Sequence, residues 1–136
     1  MKTIKSIYIF LLFITSCSLI NSCHNGPYEV NTFLIKVDSI NVPSVVTSKT
    51  PFDIKFFGTI GTNGCYHFLD FYHTENNNEI TIEAWGYYDY QAKVCPDVMV
   101  YLNDRVKSVT ISNPGKYIIR IKEPRLNDIQ KQITVI

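Results

Sequence analysis

The chain concentrates no charge of either sign. Its 13 Lys plus Arg stand against 12 Asp plus Glu, and charges cluster no more densely than in pairs such as Lys122-Glu123. A nucleic-acid surface would show as a basic patch or run, so no nucleic-acid partner is expected. Signatures of catalysis are equally scarce. Neither Gly-x-Ser-x-Gly nor His-Glu-x-x-His occurs, and Asp70, Asp89 and Asp97 form no recognisable carboxylate pair. The three histidines are His24, His67 and His73. The last two share the parity of Cys65, Leu69 and Phe71, and on one straight strand they would stand roughly 20 Å apart, too far to share a metal. The four cysteines include no Cys-x-x-Cys and no zinc-type spacing with histidine. No enzyme, metal centre or cofactor is expected. A convincing helical period is missing as well, and no repeat or low-complexity block appears beyond Asn76-Asn77-Asn78.

What is present begins at the first residues. Lys2 and Lys5 precede the apolar run Ile7 to Ile14, the layout of a secretory signal. The run is shorter than the roughly 20 apolar residues that a bilayer-spanning helix needs. Ile14-Thr15-Ser16-Cys17 and Ile20-Asn21-Ser22-Cys23 each resemble the lipobox of bacterial lipoproteins. That resemblance implies a cysteine that receives diacylglycerol and becomes the first residue after cleavage. Cys17 has the better local match. Cys23 is favoured by parity, because cleavage there leaves Cys65 and Cys95 as an even pair in an oxidising compartment, whereas cleavage at Cys17 leaves Cys23 unpaired. Cys23 is the preferred site and Cys17 the alternative. The lipid would tether the domain to a membrane without spanning it, since each buried methylene adds about 0.8 kcal/mol.

Residues 1–22 are thus expected to be a signal, 23–28 a tether containing Gly26-Pro27, and 29–136 one domain. Cleavage before Cys23 leaves 114 residues, enough for one core and too few for two. Cys65 and Cys95 are expected to form a disulfide that closes a loop of 31 residues. The chain-entropy argument values such a bridge at roughly 3 to 4 kcal/mol.

From Tyr28 onward apolar residues recur with period two, and turn residues interrupt every eight to twelve positions. Phe33, Ile35 and Val37 form the inward side of a first strand, and Phe52, Ile54 and Phe56 that of a second. Cys65 to His73 is bulky on both faces. Glu79 to Tyr87 alternates cleanly, with Ile80, Ile82 and Ala84 inward and Thr81, Glu83 and Trp85 outward. Further strands are expected at Val98 to Leu102, Val106 to Ile111, Tyr117 to Ile121 and Ile133 to Ile136. Seven or eight antiparallel strands in about a hundred residues bury their apolar faces only if two sheets pack together. The expected class is all-β, an immunoglobulin-like β-sandwich.

Ser112-Asn113-Pro114-Gly115-Lys116-Tyr117-Ile118-Ile119-Arg120-Ile121 resembles the penultimate-strand motif of bacterial Ig-like domains. The resemblance implies a tyrosine near the strand start whose hydroxyl ties down a corner. The wider pattern of Gly58-Thr59-Ile60-Gly61, Gly64-Cys65-Tyr66 and Val94-Cys95-Pro96-Asp97-Val98 is similar to small lipoproteins of Bacteroides-type bacteria. It implies a shared domain and no activity.

Trp85, Tyr87, Tyr88 and Tyr90 crowd one segment. They are candidate ligand-binding residues, because flat rings stack on a sugar face or a partner side chain while hydroxyls and neighbouring Asp89 and Gln91 hydrogen-bond. The competing reading is that they cover the open end of the sandwich or stack on the Cys65–Cys95 bridge. Two functions follow as expectations. One is a non-enzymatic, lipid-anchored envelope protein whose domain binds another macromolecule; the other is a carbohydrate-binding accessory lipoprotein that uses the aromatic cluster. Neither Ser18-Leu19 nor His24-Asn25 offers the acidic cluster resembling a surface-export signal, so the expected location is the outer membrane, facing the periplasm. The intact mass of the membrane-extracted protein checks anchor and bridge together. The expected mass begins at a diacylglyceryl Cys23 and rises by two protons on reduction; an unlipidated mass would remove the tether.

Overall fold

The computed structural model describes residues 31–125 and 127–136, and every regular element among them is a strand. Cys17, Cys23 and the tether at 23–28 lie outside these residues. The first expected strand is two. β1 (Asn31–Leu34) pairs with β6 (Glu79–Tyr88), and β2 (Lys36–Asn41) pairs with β4 (Phe52–Gly61) in a different sheet. Ile35 is the crossing point: its N–H donates to Ala84 O at 2.8 Å, and its side chain is 1 % exposed between the layers. Alternation continues unbroken through the crossing because both sheets face the same core. Sequence periodicity therefore could not reveal the break.

The larger sheet has six strands and is organised around β6. β5 (Tyr66–Asn76) runs antiparallel along one edge, from Tyr66↔Tyr88 to Asn76↔Glu79. β1 occupies the other edge opposite Trp85 to Tyr88, and β9 (Gly115–Ile121) occupies it opposite Glu79 to Ile82. β10 (Ile129–Val135) follows β9, and the two-residue β3 (Val45–Val46) lies outside β10. The smaller sheet places β2 on one side of β4, with β7 (Val100–Tyr101) and β8 (Arg105–Val109) in line on the other.

The strands thus number ten among the described residues, against seven or eight expected, and not all are antiparallel. The excess comes from the division at Ile35 and from β3. β9 runs parallel to β6, and β3 runs parallel to β10. The first of these pairings follows from connectivity: after β6 the chain passes through β7 and β8 in the other sheet before returning, the long crossover that parallel neighbours require.

Local chemistry explains the turns. Asn77 sits in the two-residue link between β5 and β6 at φ 53°, and Asn103 and Asp104 have φ 24° and 64° between β7 and β8. Asn and Asp tolerate this left-handed region better than other non-glycine residues. Gly115 opens β9 at φ 153°. Tyr117 stands two residues further on, 3 % exposed.

The ambiguity of the third expected strand has a structural cause. A bulge between Phe68 and Asp70 makes Leu69 an extra residue, so Tyr66 and Phe68 before it share a face with Phe71 after it. The shift also corrects the parity expected for the histidines. His67 pairs with Tyr87 on the outer face of the sheet, whereas His73 pairs with Ile82 on the inner parity.

The core lies between the sheets. Ile54 and Phe56 from β4 meet Ile80, Ile82 and Ala84 from β6 and Ile119 and Ile121 from β9, all at 0 to 1 % exposure. Burying each large side chain contributes about 1.5 to 3 kcal/mol. Phe56 and Phe71 join the layers with ring centroids 4.4 Å apart. At the β5 edge, the Arg105 guanidinium lies 4.8 Å from the Phe68 ring centroid, and Lys107 Nζ donates to Phe71 O at 3.2 Å. Phe71 N donates to Asp70 Oδ1 at 2.7 Å. Both peptide groups of Phe71 are therefore occupied by side chains of the same chain, which blunts this edge against further pairing.

Glu123 is the one buried charged residue among the described residues, at 8 % exposure. Its Oε1 accepts the N–H of Val37 at 3.1 Å, beside a register shift in β2, while Oε2 has no partner among the described residues. Burial holds its pKa above the ordinary carboxyl value. The bidentate bond from Arg120 to Glu79, at 2.8 and 2.9 Å, lowers the Glu79 pKa. The Glu123 N–H lowers that of Asp128. These groups pull stability in opposite directions. Glu79 and Asp128 stabilise above their unfolded pKa values and lose that contribution as pH falls through their lowered ones; Glu123 destabilises progressively as pH rises from its unfolded pKa through its raised one. Glu123→Gln keeps an acceptor for Val37. Urea midpoints between about pH 4 and 8 should show the variant losing the decline toward high pH and exceeding the parent above the raised pKa. Parallel curves would clear Glu123 of the effect.

Candidate functional site

The strict alternation of β6 decides where the aromatic candidates lie. Odd residues face outward, so Trp85 and Tyr87 lie on the solvent side of the larger sheet. Trp85 Nε1 donates to Glu83 Oε2 at 2.8 Å, and Tyr87 stacks on His67 with centroids 4.9 Å apart. Even residues face inward, and Tyr88 continues the row of Ile80, Ile82, Ala84 and Gly86 beyond the aliphatic core. Tyr90 follows it, with ring centroids 4.7 Å apart. The candidates thus divide between the two faces of β6, Trp85 and Tyr87 on one and Tyr88 on the other, with Tyr90 in the turn beyond the strand packed on Tyr88.

The inner pair has partners that sequence reasoning did not bring forward. Tyr66 packs edge-on against Tyr88 at 4.8 Å, and Phe33 packs edge-on against Tyr66 at 5.6 Å. Together with Asn31 and Asn63 these rings line a cleft of about 460 Å3. Two glycines seat the rings. A Cβ on Gly61 would overlap the Tyr66 ring, and one on Gly86 would lie 2.8 Å from Phe33 Cζ and 2.9 Å from His67 O. Glycine inside a strand commonly marks such a close approach. That signal at Gly61 and Gly86 was available in the sequence and pointed to rings packed directly on backbone.

The loop from Asp89 to Met99, which brings Tyr90 to the cleft, is fixed at several points. The Cys65–Cys95 disulfide joins it to the start of β5, with Cα atoms 5.1 Å apart. Asp89 N donates to Cys65 O at 2.9 Å, and Gly64 N donates to Pro96 O at 2.8 Å. The Tyr88 hydroxyl lies 3.5 Å from Cys95 Sγ. The bridge therefore does more than shorten the unfolded chain: it places Cys95 Sγ beside the Tyr88 hydroxyl.

Polar groups in the cleft are oriented by the chain. Asn31 Nδ2 donates to the Tyr90 hydroxyl at 3.2 Å, and Asn63 Oδ1 accepts from Cys65 N at 3.0 Å. Among the described residues the lining side chains are all Asn, Phe or Tyr, none of them an acidic or basic residue type. Chemically, the arrangement offers ring faces and neutral donors and acceptors. Both described cysteines are consumed by the bridge. Among the described residues, no group of three or more His, Cys, Asp or Glu is placed to hold a metal ion.

The chain matches no protein-family model, no curated protein and no solved structure.

Replacing both Cys65 and Cys95 with Ser should lower unfolding stability by about 3 to 4 kcal/mol in urea titration, and near-ultraviolet circular dichroism should show the tyrosine environment loosening. A loss below about 1 kcal/mol with an unchanged spectrum would mean that the backbone hydrogen bonds of the loop suffice.

Proposed function

We propose that this chain is a non-enzymatic, lipid-anchored protein of the cell envelope, whose immunoglobulin-like sandwich is a binding module acting through the aromatic cleft at one end. The observation that carries the reading is the construction of that cleft. Tyr66 and Phe33 are seated on Gly61 and Gly86, Tyr88 and Tyr90 pack onto Tyr66 in succession, and the loop that carries Tyr90 is pinned by a disulfide, so the surface needs little ordering when a partner arrives. Preformed sites keep more of their contact energy as affinity. The disulfide accords with an oxidising compartment.

The lipobox-like cysteines support the anchor, with Cys23 as its site and Cys17 as the alternative. The two packed sheets and the Pro114-Gly115 entry to β9, with Tyr117 buried, support the Ig-like assignment. A periplasm-facing outer-membrane position follows from the same N-terminal resemblance. The partner is an envelope protein or a glycan.

Site-specific photocrosslinking in intact cells tests the module. A benzophenone side chain at Tyr90 should give a discrete adduct, and the same group at Gln132, exposed on β10 toward the other end of the sheet, should not. Equal labelling at both positions, or none at Tyr90, would overturn the assignment of the cleft.

A further inference from the structure

The chemistry of the cleft selects among ligands. We infer that it takes a short, neutral oligosaccharide, an inference that rests on the cleft being the binding site of the module.

Charge comes first. Among the described residues, no Lys, Arg, His, Asp or Glu lines the cleft. An anionic sugar, a phosphate or a charged peptide side chain would be desolvated there without a counter-charge, which is costly. A neutral ligand meets no such penalty.

The hydrogen-bonding inventory narrows the class further. Asn31 spends one N–H on the Tyr90 oxygen and keeps its carbonyl and second N–H. Asn63 spends its carbonyl on the Cys65 N–H and keeps its amide donors. Each amide is thus held at one group, and its remaining donors and acceptors can serve a ligand. The hydroxyls of Tyr66 and Tyr90 each donate as well as accept. A set of groups with mixed donor and acceptor capacity is what sugar hydroxyls, themselves donors and acceptors, can satisfy.

Ring geometry supplies the apolar half. Tyr90 is 68 % exposed and tilted 58° to Tyr88, so the pair makes an angled wall and not a closed stack. The C–H face of a pyranose fits against such a ring while its equatorial hydroxyls reach sideways to the amides. The volume of about 460 Å3 falls within the roughly 300 to 1,000 Å3 of small-molecule sites.

The outer row is less suited. Trp85 has its only donor engaged by Glu83, Tyr87 has one face covered by His67, and Glu83 and Asp70 bring negative charge. Tyr88 and Tyr90 are therefore ligand residues, joined by Asn31, Phe33, Asn63 and Tyr66.

The test is titration of the intact protein with maltotriose, cellotriose, xylotriose, mannotriose and N-acetylchitotriose, following the tyrosine ring resonances by NMR. At least one of these should shift the signals of Tyr66, Tyr88 and Tyr90 saturably. Tyr90→Ala, at a site too exposed to carry the fold, should weaken that binding about tenfold, equivalent to about 1.4 kcal/mol. Tyr87→Ala on the outer face should leave it unchanged. Three results would overturn the inference: no trisaccharide moves those rings; Tyr87→Ala weakens binding and Tyr90→Ala does not; or trigalacturonate binds more tightly than every neutral sugar. Retention of the Tyr90 crosslink without sugar binding would reject the sugar alone. Loss of both would reject the cleft as a binding site.

Discussion

The period-two alternation of β6 is the constraint on which both the core and the cleft depend. Its even residues, Ile80, Ile82 and Ala84, are 0 to 1 % exposed and hold the larger sheet against the smaller one. The same row then continues through Gly86 to Tyr88. Because side chains alternate without slippage, the residues that close the aliphatic core and those that line the cleft belong to one face. A one-residue slip of this strand would turn both to solvent together. Its two edges are used unequally. β5 covers one edge alone, whereas β1 and β9 divide the other, so three further strands take their register from β6.

Irregularities in neighbouring strands fit the molecule to that frame. The bulge at Leu69 returns Phe71 to the core, where it meets Phe56, after Tyr66 and Phe68 have faced the cleft end. Asp70 and Lys107 then occupy the peptide groups of Phe71 at the sheet edge. In β2 the register shift beside Val37 is served by the Glu123 carboxylate, which leaves one buried oxygen without a partner among the described residues. At these two breaks in pairing a nearby side chain takes up peptide groups, as expected where buried peptide groups must find partners.

The aliphatic strands are legible in the sequence. Phe52, Ile54 and Phe56, and Ile80, Ile82 and Ala84, are buried as their alternation predicts. The Asn103-Asp104 turn was readable because its residue types tolerate positive φ. The site was readable only in part. Tyr88 and Tyr90 could be named from crowding, but grouping them with Trp85 and Tyr87 joined residues that a strand places on opposite faces. Phe33 and Tyr66 lie far from them in sequence and became neighbours through the pairings β1–β6 and β5–β6.

The sequence by itself determined the all-β class, the burial face of the main strands and the availability of two cysteines for a bridge. These follow from local periodicity and residue chemistry, which act over a few neighbouring positions. Only the tertiary structure decided the sheet change at Ile35, the parallel placement of β9 beside β6 and the assembly of a neutral aromatic cleft from segments near residues 31, 63 and 88. The physical reason is that these features depend on which strands pair across the fold, and a period-two pattern records which face is buried without recording against what.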